Sequence, residues 1–151
     1  MTSAPDRGAG AGSTPRAISF LLYWLPAIAY IALIFSGSSI RGQDLPALLP
    51  NLDKVAHLLE YSLLGMLLGR AIRFTLVGWS RVAAVAITIG LGAGIGAVDE
   101  LYQRGIAGRT SDVRDWIVDV IAVTASVLLA QWISTRSLRR RAGRSEEKGS
   151  K

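Results

Sequence analysis

The sequence predicts an all-α, polytopic membrane protein: four transmembrane helices in a compact bundle, with both termini in the cytoplasm. Three observations predict this. Half of the 151 residues are apolar and the mean hydropathy is +0.36. The apolar residues gather into four blocks: Ile18 to Ser36, Val55 to Leu68, Val82 to Val98 and Trp116 to Ile133. The first and third blocks contain no charge at all, so neither has a polar face to offer water. A helix needs about 20 mostly apolar residues to cross ~30 Å of hydrocarbon. The alternative, a soluble helical bundle with a large core, conflicts with those two uncharged blocks.

Residues 1–17 are rich in Gly, Ala, Ser and Pro and are expected to be a disordered cytoplasmic N-terminus. The apolar block that follows is longer than the usual 7–15-residue core of a signal peptide, so it reads as a retained first helix. Pro26 is a kink point that membrane helices tolerate. The first loop, Gly37 to Asn51, carries the apolar run LPALLP, suited to the membrane surface. The second helix opens with Asp53, a candidate cap, and with Lys54, His57 and Glu60. A short second loop, Gly69 to Arg81, holds Arg70, Arg73 and Arg81 and no acid.

The third helix carries Gly90, Gly92, Gly94 and Gly96, two overlapping G-x-x-x-G patterns, and Gly65 and Gly69 form another pair on helix two. Such glycines let a neighbouring backbone approach closely, within one bundle or across a homo-oligomer interface. Before helix four, Thr110, Ser111 or Asp112 can cap. The fourth helix completes a transmembrane domain over 18–133, and a basic tail, 134–151, is expected to be disordered.

Twelve Lys and Arg fall in the N-terminus, second loop and tail, against five in and around the first and third loops. Positive charge is retained on the cytoplasmic side, which gives the N-in/C-in orientation in a bacterial inner membrane. The net charge of +6 therefore marks topology and attraction to anionic lipid rather than nucleic acid. With no cysteine, disulfides, Cys-ligated zinc and thiol catalysis are excluded.

Seven of the eleven acids lie at one end of helices two, three and four. Asp53, His57 and Tyr61 are spaced i, i+4, i+8 along one stripe, with Glu60 adjoining. Asp99, Glu100 and Gln103 close helix three. Arg109 lies in the third loop, and Asp112, Asp115 and Asp119 lead into helix four. Ionisable groups inside a membrane are expensive unless paired or used, so these eleven positions form a candidate polar ligand-binding pocket. Three readings compete for it. One is a structural network in which Arg109 pairs with Asp112 or Asp115. Another is binding of a polar or cationic group. The last is catalysis, with His57 as general base or metal ligand. No HExxH or GxSxG motif supports an enzyme, so no catalytic residue is assigned. No cofactor is expected, and a divalent metal is left open.

The segments FSGSS, DKVAHLLEYSLLG and DELYQRGIAGRTSDVRDWIVDVIA together resemble the VanZ-like family of small bacterial membrane proteins. The resemblance covers roughly residues 30–130 and places Asp53, Lys54, His57, Tyr61, Asp99, Glu100, Gln103, Gly108, Arg109, Asp112 and Asp115 on the family pattern. The chain departs from it at Asp119, Ala122 and Val123, where relatives carry Asn, Thr and a Gly-rich stretch. It departs again at Glu60, where relatives are apolar or aromatic. The family name derives from a member linked to reduced teicoplanin susceptibility, with no established biochemical mechanism. The pocket is expected to recognise a polar envelope component: a lipid-linked head group, a peptidoglycan-related peptide or a cationic amphiphile. A membrane enzyme acting on a lipid-linked substrate and a structural assembly partner are the alternatives.

Overall fold

The computed structural model describes residues 16–41, 52–109 and 111–149. Four helices run through them: α1 (Arg16–Ser38), α2 (Leu52–Thr75), α3 (Arg81–Gln103) and α4 (Val113–Gly149). Each holds a stretch long and apolar enough to cross a membrane: Ala17–Ser38, Lys54–Thr75, Arg81–Gln103 and Val113–Ser137. The expected N-terminal disorder over 1–15, the LPALLP run and the capping option at Thr110 lie outside the described residues, as does the side chain of Asp53.

The elements differ from the sequence reading at three ends, the first being α1, which already begins at Arg16 within the stretch 1–17 expected to be disordered. Helix α2 continues to Thr75, so Arg70 and Arg73 lie on its last turns rather than in a loop. The run AIRFT contains neither Gly nor Pro, and basic side chains near a helix C-terminus complement its dipole. The turn beyond it contains Gly78 at φ +92°, and Ser80 caps α3 by accepting from the Ala83 N–H at 3.1 Å. Helix α4 likewise runs on to Gly149, where the composition predicts disorder from 134. Arg136 lies 3.8 Å over the Trp132 ring, so the basic stretch starts as an ordered continuation of the helix. Pro26 lies within an unbroken α1.

The core is small: Ala27, Ile34, Tyr61, Leu64, Leu68, Ala122, Val123 and Val127. Large apolar side chains such as Leu25, Leu33, Leu59, Val82, Ile121 and Leu129 are instead exposed, while polar ones including Asp99 and Asp119 are buried. That inversion suits lipid as solvent. Between helices in lipid there is little hydrophobic drive, and association rests on close packing.

The glycines supply it. Helix α2 packs most extensively on α4. A Cβ at Gly65 would collide with Ser126 Oγ and lie 3.0 Å from Val123 Cα; one at Gly92 would lie 2.8 Å from both Val123 methyls. Val123 is thus lodged between the glycine faces of α2 and α3. Gly96 likewise admits Asp119 and Trp116, and the Trp116 indole donates to the Ala93 carbonyl at 2.9 Å. Gly90 and Gly94 face open space. Of the two overlapping glycine patterns, one therefore packs inside this bundle and the other points outward.

Candidate functional site

At one end of the bundle the C-termini of α1 and α3 meet the N-termini of α2 and α4. His57 and Tyr61 come from α2, Asp99, Glu100 and Gln103 from α3, and Asp115 and Asp119 from α4. All seven are buried; Asp99 and Asp119 are exposed by only 1% and 0%. Helical spacing explains the meeting, since His57 and Tyr61 are one turn apart on one face, as are Asp99 with Gln103 and Asp115 with Asp119.

His57 Nδ1 and Asp119 Oδ1 are 2.9 Å apart across α2 and α4. The charges of Asp119, Asp115 and Glu100 all bear on this imidazole. The Tyr61 ring lies parallel to it with centroids 6.1 Å apart. Lys54 pairs with Asp115 at 2.6 Å, a second α2–α4 link. Gln103 Nε2 donates to Asp99 Oδ2 at 3.1 Å and to Ser38 Oγ at 3.3 Å, bringing α1 into the cluster. Glu100 Oε2 accepts from the Asp112 N–H at 3.1 Å, and Asp112 caps α4 through the Arg114 N–H at 2.8 Å.

Two expected members stand apart. Glu60 is half-buried beside the cluster; the charges of His57, Asp99 and Arg109 reach it through space, without a direct contact to any of the three. Arg109 does not pair with Asp112 or Asp115. Gly108, at φ +77°, turns the loop, and the Arg109 guanidinium donates to the Gly37 and Ile40 carbonyls, each at 3.1 Å. Gly37, in the last turn of α1, also accepts from the Ile40 N–H at 3.1 Å, and Ile40 lies just beyond the helix; carbonyls left over at a helix C-terminus favour a cation with several donors where a carboxylate cannot serve. Lys54 joins the site although the sequence reading leaves it out of the pocket; the signal for it is its place as the only lysine or arginine among the acids of the DKVAHLLE stretch.

Four buried oxygens have no hydrogen-bond partner among the described residues: Tyr61 Oη, Asp99 Oδ1, Glu100 Oε1 and Asp119 Oδ2. One such atom costs about 1–3 kcal/mol, and more when charged. The cluster thus leaves three acceptors and a hydroxyl without a protein partner among the described residues. A cavity of about 170 Å³ lies elsewhere, towards the other end, among Gly65, Gly69, Arg70, Arg73, Thr88 and Gln131.

The VanZ/LLP1 family model matches residues 13–134. The chain belongs to the VanZ/LLP1 family. Neither a curated protein nor a solved structure gives a match. The match spans all the buried polar positions of this VanZ/LLP1 protein. Its four membrane-competent helices make it a multi-pass membrane protein.

Proposed function

We propose that this VanZ/LLP1 protein receives the polar head of a cell-envelope component at its acid-rich end. The observation that carries the reading is the set of four buried, unpartnered oxygens on Tyr61, Asp99, Glu100 and Asp119. Three are pure acceptors when ionised, so the matching ligand presents donors: an ammonium group, peptide amides or sugar hydroxyls. Lipid-linked head groups, peptidoglycan-related peptides and cationic amphiphiles share that chemistry. The positive-inside count puts this end on the extracytoplasmic side of an inner membrane, with both termini cytoplasmic, where such ligands are met. Altered teicoplanin-type susceptibility is one consequence open to test. His57 and Asp99 form the centre, with Gln103 holding Asp99 and Tyr61 offering a hydroxyl.

The test is growth of an expressing strain under a panel of envelope-targeting antibiotics, for wild type, His57→Ala, Asp99→Asn and Tyr61→Phe. Loss of the wild-type phenotype with folding retained supports the reading. Unchanged phenotype and unchanged stability in His57→Ala and Asp99→Asn would end it.

A second reading is general-base or metal-assisted chemistry on a lipid-linked substrate. The His57–Asp119 contact favours it, because a buried carboxylate fixes the tautomer and orientation of an imidazole base. Turnover that fails in both His57→Ala and Asp119→Asn would distinguish it from binding alone.

A further inference from the structure

We propose that His57, Glu100 and Asp119 form a binding site for one divalent first-row transition cation. Each residue comes from a different helix, α2, α3 and α4, and each offers one ligand atom; these atoms all lie within 4.8 Å of one another. All three side chains are buried. In a tetrahedral site with ligand bonds of about 2.0–2.1 Å the ligand atoms lie ~3.3–3.4 Å apart, so the triad closes on an ion when its side chains draw in by up to about 1.5 Å. His57 Nδ1 and Asp119 Oδ1, now 2.9 Å apart as a hydrogen-bonded pair, part by a few tenths of an ångström to take the ion between them.

Proximity of acids would not suffice without a second observation, and the hydrogen bonding supplies one. Glu100 uses Oε2 for the Asp112 N–H and leaves Oε1 unpartnered; Asp119 uses Oδ1 for His57 and leaves Oδ2 unpartnered. In Glu100 one carboxylate oxygen is anchored by the Asp112 N–H while the other is left over, as in a ligand oriented from its outer side; the His57–Asp119 contact is the one the ion replaces. Two carboxylates and a neutral imidazole bring two negative charges, which a dication cancels in a buried place where net charge is costly. The proton shared by His57 and Asp119 leaves to solvent as the ion enters, because ligation needs both groups deprotonated. One nitrogen and two oxygens suit Zn²⁺ or Mn²⁺ rather than Mg²⁺, which prefers oxygen and retains its water. The ion would take His57 and the free oxygens of Glu100 and Asp119 and leave Asp99 and Tyr61 to a head group, so the inference goes beyond the binding reading and competes with it for three residues.

The experiment uses full-length protein purified in detergent through a non-histidine tag, stripped with EDTA and titrated with Zn²⁺, Mn²⁺ and Mg²⁺ by calorimetry. One equivalent of Zn²⁺ or Mn²⁺ is expected, with Mg²⁺ at least about ten-fold weaker. His57→Gln, Glu100→Gln and Asp119→Asn should each weaken binding by about ten-fold or more, while Gly94→Ala, in open space, leaves it unchanged. Folded variants that bind as wild type does, absence of saturable binding, or equal affinity for Mg²⁺ overturns the proposal. His57 is the only histidine, so its ring NMR signals read the site in unaltered protein even where a variant fails to fold. Zn²⁺ should move them; signals that stay in place at saturating Zn²⁺ also overturn it. Absent ion binding alongside a retained Asp99-dependent envelope phenotype removes the ion and leaves the head-group reading standing.

Discussion

Asp99→Asn should make the protein more stable while abolishing the proposed head-group binding. Asp99 is 1% exposed, receives one hydrogen bond from Gln103, and has Oδ1 unpartnered. Burying that oxygen without a partner costs about 1–3 kcal/mol, which the amide recovers in large part by removing the charge and placing donors among acceptors. Against this, the Gln103 bond passes from charge-assisted to neutral, a loss of ~1 kcal/mol. The net expectation is a gain of up to ~2 kcal/mol in EDTA-treated protein. Thermal unfolding in detergent, followed by tryptophan fluorescence, is a suitable assay, because the Trp116 indole bonds across α4 and α3 and reports their packing. Natural sites trade stability for activity, and a stabilised, inactive variant carries that signature. A loss of ~1 kcal/mol or more would refute the reasoning, because it would mean that the charge at Asp99 holds the bundle together.

Two further outcomes follow from the packing and the loop. Gly92→Ala forces a Cβ to within 2.8 Å of Val123 and should cost about 1–3 kcal/mol, whereas Gly94→Ala, in open space, should be neutral or stabilising by up to ~1 kcal/mol; comparing their melting temperatures checks this, and a Val123→Ala background should lessen the Gly92→Ala penalty. Arg109→Gln removes the donors to the Gly37 and Ile40 carbonyls and should cost about 1–3 kcal/mol, with faster hydrogen exchange at the end of α1 and little change in the middle of α3.

The four spans are legible in the sequence because lipid removes ambiguity: an uncharged run of spanning length has nowhere else to go. Element ends are less so. Arg70 and Arg73 read as loop because charge normally marks a membrane boundary, yet nothing in AIRFT breaks a helix. Most of the site is readable from helical spacing, which alone puts His57 with Tyr61, and Asp115 with Asp119, on shared faces. Pairing is not. Arg109 faces several acids in sequence and turns to carbonyls instead, because partner choice depends on where the Gly108 turn aims the side chain. The glycines show that close packing occurs; only the three-dimensional arrangement separates Gly92 and Gly96, against α4, from Gly90 and Gly94.

The contacts that fasten the end of α1 have a consequence for biosynthesis. Gln103 reaches Ser38, Tyr102 meets Ser39 at 2.9 Å, and Arg109 holds Gly37 and Ile40, across 63 to 72 residues of chain. Helix α1 emerges from the ribosome first, yet each of these fastenings is encoded at or beyond the end of α3. During translation α1 must wait in the bilayer, anchored only by its own hydrophobicity and by α2, until the last loop is made. The chain is therefore latched late. A nascent protein halted before Tyr102 should be inserted but open at its acidic end, and a protease added from that side should cut it there until synthesis passes Arg109.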